Sequence, residues 1–264
     1  MNEWTEKSVS FASQRNYLDE LYKVYPIIPN ERRELSKSTI SSLQKAFDGD
    51  NIELIKNLLN LEVFPLKDSY VAYMKRDRES IERNPETVNR IAGTLHQMGF
   101  EEMIDKCSQP KETNRQIGPM FKTWIDKKVL GAPIYKTRGE FTESSGNAIF
   151  NSTDAEMKKF CTDHLGYDRE KGIDFVARFN DVYVVGESKF LTDFGGHQNA
   201  QFSDALSTIR SRFVSKDGNK IIPIAILDGV LYIKGKNSMH KRLIDHPEEI
   251  IISSLILREF LYSL

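Results

Sequence analysis

The chain has 264 residues, of which 37 are lysine or arginine and 38 are aspartate or glutamate, so its formal net charge is −1. This balance excludes a uniformly basic nucleic-acid coat protein, and any nucleic-acid site must come from a local arrangement of charge. With 39% hydrophobic and 28% charged residues, the composition is that of a folded protein rather than a disordered one. The two cysteines, Cys107 and Cys161, are far apart, which excludes a zinc ribbon and a disulfide scaffold.

The chain shows no targeting or membrane-spanning pattern. Residues 1–15 contain charged side chains and no apolar stretch of the kind that a secretory signal requires. The longest apolar run, residues 221–227, is interrupted by Pro223 and is far too short to cross a bilayer. We therefore expect a cytoplasmic protein with no membrane partner.

The first half of the sequence has the spacing of helices. Asp50 and Glu53 form a capping-box pattern ahead of apolar residues that recur every three or four positions. Asn84–Pro85 predicts the start of another helix, which Gly99 would end, and apolar residues at 121–125 indicate a further helical face. This half is therefore predicted to be helical.

The second half changes to a mixed pattern of strands and helices. Thr153 and Glu156 predict a helix that runs to about Leu165. Apolar runs then predict strands at 172–179, 182–190, 221–227 and 230–234, with a helix at 198–213 and a closing helix at 248–264. Asp228–Gly229 is typical of a two-residue hairpin between the last two strands. The order predicts an α/β protein of the α+β kind, with helices on both faces of a mixed sheet.

One hairpin carries the chemistry. A turn at Asn180–Asp181 would place Asp174 directly opposite Glu187, with Lys189 on the same face two residues further. Opposed carboxylates repel each other, and a divalent cation such as Mg²⁺ bound between them would remove that repulsion. A lysine beside the metal would orient water and offset negative charge on a reacting phosphate. The alternative is an ordinary charged strand end, because such a pattern is common by chance.

Asp174, then Glu187-Ser188-Lys189, on a hairpin flanked by helices resembles the core of the PD-(D/E)XK nuclease superfamily. Within it, residues 187–201, with 84–88 and 114–118 upstream, are similar to type II restriction endonucleases. The likeness covers about residues 145–235, and Ile173 stands where the family nominally has proline.

The resemblance implies a restriction-endonuclease-like αβα core, Mg²⁺, cleavage of double-stranded DNA, and usually a homodimer. We accordingly expect a catalytic core at residues 131–264 and a helical N-terminal region, residues 1–130, that supports DNA binding or dimerisation. Asp174 and Glu187 would be metal ligands and Lys189 the catalytic lysine. Glu156 would be a further catalytic carboxylate from the preceding helix, although its place in a capping box explains it equally well, and Glu143 is a weaker alternative.

Contacts with DNA are predicted after the catalytic strand. Amide and imidazole groups at 197–201 and nearby arginines suit phosphates or base edges, and the candidates are His197, Gln198, Asn199, Gln201, Arg210 and Arg212. A solvated glycine loop is the alternative for the amide-rich part. Residues 207–242 carry a local charge of +6, which suits a phosphate backbone. The polar loop at 111–119 is either a solvated connection or a DNA-facing loop.

The main hypothesis is therefore a type II restriction endonuclease that hydrolyses phosphodiester bonds of double-stranded DNA with Mg²⁺. One alternative is another nuclease with the same core, such as a repair endonuclease, a resolvase or an exonuclease. The other is a DNA-binding protein without enzymatic activity, in which the carboxylate and lysine pattern is accidental.

Overall fold

The computed structural model describes residues 1–26, 34–109, 117–235 and 237–264. By its contacts the chain divides into two compact units. We call residues 28–113 the helical unit, and residues 1–27 together with 114–264 the sheet unit. This contact-based division differs from the predicted boundary after residue 130, because the first helices pack with the sheet. The supporting role in DNA binding or dimerisation that we assigned to residues 1–130 stays a prediction.

The described part of the helical unit contains six helices around its own apolar core. They are α3 (Lys37–Gly49), α4 (Asn51–Leu59), α5 (Ser69–Arg76), α6 (Ser80–Arg83), α7 (Pro85–Met98) and α8 (Phe100–Cys107). The predicted cap is present, since the Asp50 carboxylate accepts hydrogen bonds from the N–H groups of Ile52 and Glu53 at 2.8 and 3.3 Å. Helix α7 begins at Pro85 as predicted and ends at Gly99, whose φ is 85°.

The described part of the sheet unit combines eight helices with six strands. The helices are α1 (Glu3–Ala12), α2 (Tyr17–Val24), α9 (Ile117–Asp126), α10 (Arg138–Glu143), α11 (Asp154–Leu165), α12 (Gly196–Ile209), α13 (Ser238–Asp245) and α14 (Leu257–Tyr262). The strands are β1 (Ile134–Tyr135), β2 (Ala148–Phe150), β3 (Phe175–Phe179), β4 (Val182–Leu191), β5 (Ile221–Gly229) and β6 (Ile250–Ile252).

The six strands form one mixed sheet in the order β1-β2-β3-β4-β5-β6. Strand β3 runs antiparallel to both of its neighbours, β2 and β4, whereas β4, β5 and β6 run parallel, as do β1 and β2. Phe175 and Ala177 belong to the larger apolar core and Val176 to a second core that includes residues of α10 and α11. Because successive strand residues face opposite sides, helices cover both faces of β3, which confirms the predicted α/β class with a mixed sheet.

The hairpin that was predicted to carry the chemistry has the expected register. Asn180 and Asp181 have positive φ values of 47° and 61°, as a type I′ turn requires. Phe179 pairs with Val182, and the ladder continues to Phe175 opposite Gly186. The two-residue turn therefore fixes which residues of β3 and β4 face one another.

The prediction of a hairpin at Asp228–Gly229 is wrong. Strand β5 runs through Gly229 parallel to β4, and residues 230–232 form a 3₁₀ turn instead of a strand. Asp228 is fully buried and accepts a hydrogen bond from the Tyr25 hydroxyl at 2.8 Å, so it is not a solvated turn residue. Gly229 permits a close approach, because a Cβ there would lie 2.0 Å from the Leu191 carbonyl oxygen.

Two further expectations need correction or fall outside the described residues. The closing helix predicted at 248–264 is shorter, since Ile250–Ile252 form β6 beside β5 and only residues 257–262 are helical. A run of β-branched residues favours a strand when the edge of a neighbouring strand is available for pairing.

Of the predicted loop at 111–119, residues 111–116 lie outside the described residues, and 117–119 form the first turn of α9. Among the helices of the described residues, none has the length and apolar character that crossing a bilayer requires.

Candidate active site

The start of β3 and the second half of β4 bring three predicted residues together. The N–H of Asp174 donates to the Gly186 carbonyl oxygen at 3.1 Å, which extends the ladder just beyond β3. The Asp174 Oδ2 accepts a hydrogen bond from the Ser188 N–H at 2.9 Å and lies 3.7 Å from Lys189 Nζ. Lys189 also forms an ion pair with Glu187. We call Asp174, Glu187 and Lys189 the carboxylate–lysine cluster.

Glu187 is the buried member of the cluster, with 1% of its surface exposed. Burial, and then the charge of Asp174, raises the pKa of Glu187 above its usual value. For Lys189, burial alone would lower the pKa, but the Glu187 and Asp174 carboxylates outweigh burial and raise it. Lys189 is therefore held as an ammonium, which offsets the repulsion between the two carboxylates.

Two residues that the sequence analysis did not single out complete this network. Lys171 Nζ lies 2.7 Å from Glu187 Oε1 and 2.5 Å from Asp204 Oδ2. Lys171 is three residues before Asp174, so its closeness in sequence could have indicated a place beside the cluster. Asp204 comes from α12, and no spacing in the sequence linked it to the hairpin.

The cluster opens onto two cavities that both include Gly118 and Asp174. The smaller, of about 110 Å³, is also lined by Ser188, Lys189 and Gln201. The larger, of about 750 Å³, extends to a set of polar residues on neighbouring elements, among them Lys122, Lys136, Asn151 and Asp154. The carboxylate–lysine cluster therefore faces open space large enough for part of a polymer substrate.

The predicted third carboxylate, Glu156, lies in the first turn of α11 and is exposed. Its N–H donates to the Thr153 Oγ1 at 3.3 Å, which is the capping contact expected from the sequence. Asp154 of the same turn is the carboxylate that lines the larger cavity, where its Oδ1 accepts a hydrogen bond from Lys122 Nζ at 2.5 Å. A catalytic role for Glu156 stays a prediction, and Asp154 is a cavity residue that the sequence analysis missed.

The predicted amide and imidazole residues lie in the first turns of α12 and differ in surroundings. Gln201 lines the smaller cavity, and its Nε2 lies 3.1 Å from Nε2 of the exposed His197. Gln198 is buried and binds Thr192 through both its amide atoms, and the Asn199 amide donates to the Phe194 carbonyl oxygen. The structure thus brings Gln201 to the cluster, while Gln198 and Asn199 hold the loop to the helix.

The predicted basic residues after α12 also differ. Arg210 forms ion pairs with Glu249, so its charge is already compensated. Arg212 is exposed. Arg242 donates to the Asn199 carbonyl oxygen and to the Ser203 hydroxyl of α12. Lys236, one of the residues counted in the local charge, lies outside the described residues.

The oxygen donors of the cluster fit a divalent cation. Glu187 Oε2 is buried and has no hydrogen-bond partner among the described residues, whereas Oε1 is engaged by lysines. Among those same residues, no three or more His, Cys, Asp or Glu side chains are grouped as a protein-only metal cage would require. Two carboxylates, one with an unpartnered oxygen, fit a hard cation such as Mg²⁺ that takes its remaining ligands from water and phosphate.

The mixed sheet, with this cluster at the edge of an open cavity, belongs to a DNA-binding hydrolase that cuts at specific sites, as comparison with a known family shows. The model of the family described as Tsp45I type II restriction enzyme matches residues 2–264, and the chain belongs to that family. It is therefore a site-specific endonuclease of a restriction system, which confirms the expected class of enzyme. No curated protein and no solved structure matches the chain.

Proposed function

We propose that this restriction endonuclease hydrolyses double-stranded DNA with Mg²⁺ at the carboxylate–lysine cluster and is a member of the PD-(D/E)XK superfamily. The observation that carries the proposal is the pairing of Asp174 with Glu187 around Lys189, with the buried Glu187 Oε2 unpartnered. Asp174 and Glu187 would hold the cation. When bound, Mg²⁺ would supply a polarised phosphate and a water of lowered pKa.

Lys189 has the position and charge for a direct role. Its ammonium lies between the Asp174 and Glu187 carboxylates. With a cation held by those carboxylates, the same ammonium would be free to hydrogen-bond to the attacking water or to a phosphate oxygen. A fixed positive charge there stabilises the charge that develops during hydrolysis.

We propose two kinds of DNA contact, one near the scissile phosphate and one with the phosphate backbone. Gln201 and His197 lie together, and Gln201 lines the smaller cavity beside the cluster, which favours a contact near the scissile phosphate. Exposed Arg212 suits the phosphate backbone. Gln198, Asn199 and Arg210 remain candidates, and each would have to exchange its present partner for DNA.

A homodimer would account for cleavage of both strands. Each chain carries one carboxylate–lysine cluster, and two clusters related by a two-fold axis would face the two strands of a symmetric site. The proposed role of residues 1–130 is to support this dimer or the DNA contact.

The central test is cleavage of plasmid DNA by the purified full chain with Mg²⁺. We expect discrete fragments, and we expect Lys189→Ala to lower the cleavage rate by on the order of 10²–10³-fold while DNA binding persists. Lys23→Ala, an exposed lysine paired with Glu20, serves as the matched control and should cleave normally.

Cleavage at the wild-type rate by Lys189→Ala, or by the wild type in EDTA, would contradict the proposed chemistry. A digest that yields no fixed fragment pattern would instead favour structure-directed or end-dependent cutting.

A further inference from the structure

Lys171 has contacts that the proposed chemistry does not use. It lies in the connection between α11 and β3 and is only one-quarter exposed. Its ammonium points to Glu187, with Nζ 2.7 Å from Oε1. Lys171, which precedes the hairpin, and Lys189, which follows Glu187 on β4, therefore both contact the least exposed carboxylate of the cluster.

The same ammonium is tied to α12. Lys171 Nζ lies 2.5 Å from Asp204 Oδ2 and 3.0 Å from Thr208 Oγ1. An ammonium has three N–H donors, and here each of them has an acceptor. Lys171 is thus held by three partners, two of which belong to one helix, and it cannot turn away from Glu187 without breaking contacts.

The two oxygens of Glu187 are consequently unlike each other. Oε1 is engaged by Lys171 and Lys189, whereas Oε2 is buried without a partner among the described residues. A buried carboxylate oxygen without a partner is costly unless a ligand completes it. Lys189 has a second carboxylate partner in Asp174, but the other contacts of Lys171 hold it to α12.

We propose that Lys171 is a positioning residue, which anchors Glu187 Oε1 to α12 and so presents Oε2 to a divalent cation. This inference rests on the proposed function, because it takes Glu187 as a metal ligand. When Lys189 moves toward water or phosphate, Lys171 remains and keeps the Glu187 side chain in place. Outer partners of this kind commonly set metal affinity.

The test measures Mn²⁺ binding to the full chain without DNA, from the loss of the free-ion electron paramagnetic resonance signal. We expect Lys171→Met to weaken Mn²⁺ binding by about tenfold or more. Lys171→Arg keeps the charge and should restore most of the affinity. Lys158→Met, which removes a lysine paired with Glu170 outside the cluster, should bind Mn²⁺ as the wild type does.

Asp204→Asn gives a second variant, and because Asp204 is nearly half exposed, this change should leave the fold intact. It should weaken Mn²⁺ binding less than Lys171→Met does, since Lys171 keeps its bond to Glu187. Wild-type affinity in both Lys171→Met and Asp204→Asn would overturn the inference.

Glu187→Gln separates the positioning role of Lys171 from the metal-ligand role of Glu187. If it weakens Mn²⁺ binding while Lys171→Met and Asp204→Asn do not, the positioning role alone fails. If Glu187→Gln binds Mn²⁺ as the wild type does, Glu187 is not a ligand, and both the proposed function of that residue and the role of Lys171 fail.

Discussion

Asp228 is a buried carboxylate at the end of β5 that has no place in the proposed chemistry. It is fully buried and accepts hydrogen bonds from the Tyr25 hydroxyl at 2.8 Å and from the hydroxyl of Ser253 at 2.5 Å. Burial raises the pKa of Asp228 above its ordinary value of 3.8, although these hydrogen bonds act in the opposite direction. Its contacts join three separate parts of the sheet unit, so its role is structural.

The raised pKa of Asp228 predicts a pH-dependent contribution to stability. A carboxyl group whose pKa is higher in the folded than in the unfolded chain stabilises the fold fully below the unfolded pKa and loses that contribution as pH rises through the folded pKa. We expect the free energy of unfolding of the wild type, minus that of Asp228→Asn, to fall as the pH rises above 3.8, the ordinary pKa of an aspartate. Urea denaturation at several pH values measures this difference.

Every other titrating group is common to the two proteins, so the difference isolates Asp228. Any hydrogen bonds lost in Asp228→Asn add a constant offset and leave the slope unchanged. A difference that rises with pH would mean that the hydrogen bonds outweigh burial.

At the residue scale, local pattern predicted the cluster and missed its surroundings. Asp174, Glu187 and Lys189 come together because a two-residue turn and the alternation of strand side chains fix their positions. Lys171 and Asp204 meet only because α12 packs against β4, and no local spacing encodes how a helix packs on a sheet.

The β3–β4 hairpin is the element on which the cluster depends, and its turn is not optimal in sequence. Asp181 has φ 61°, a region that suits glycine best, and type I′ turns favour Asn-Gly. A left-handed conformation costs an ordinary residue roughly 1–2 kcal/mol. Glycine avoids this cost but loses roughly 0.5–1 kcal/mol in additional chain entropy.

We therefore expect Asp181→Gly to raise the free energy of unfolding by about 0.5 kcal/mol, measured by urea denaturation. Asp181→Ala is the matched control, and it should lower stability because it keeps the Cβ and loses the polar side chain. The cleavage rate should not change, since the turn lies at the opposite end of the hairpin from Asp174. A less stable Asp181→Gly would show that the Asp181 side chain contributes more than the backbone strain costs.

Element type was predictable where pattern and capping agreed, as for helix α11 and for the β3–β4 hairpin. It was not predictable at the end of β5, because Asp228–Gly229 has the residues of a turn. In the structure Asp228 is instead buried, and Gly229 lets β5 pass close to the Leu191 carbonyl oxygen. A parallel strand and a hairpin strand present the same apolar run. Only the partner strand, which lies far away in the sequence, decides between them.

At the scale of the whole molecule, the sheet unit is discontinuous in the chain, with residues 28–113 inserted between its two parts. Its first part is deeply integrated, because Val9, Leu21, Val24 and Tyr25 are all buried in the core of the sheet unit. The helical unit has a separate apolar core of its own. The molecule therefore consists of one continuous and one interrupted folding unit.

We predict that deletion of residues 1–26 abolishes cooperative unfolding of the sheet unit and also abolishes cleavage. Circular dichroism and thermal unfolding of the shortened chain measure the first effect, and a plasmid digest measures the second. Residues 34–109 alone provide the control, because a unit with its own core should fold in isolation. A shortened chain that cleaves DNA normally would show that α1 and α2 are dispensable.

The link between the first helix and the last strand also sets an order of events during synthesis. Thr5 Oγ1 donates to the Ile251 carbonyl oxygen at 2.9 Å, and the Ser253 N–H donates to Ser8 Oγ at 2.9 Å. Contacts so distant in sequence close late, whereas the continuous helical unit can fold while the ribosome is still extending the chain. An unfinished polypeptide that stops before β6 would leave α1 without its docking strand, so DNA-cutting capacity would arise only after β6 has been synthesised.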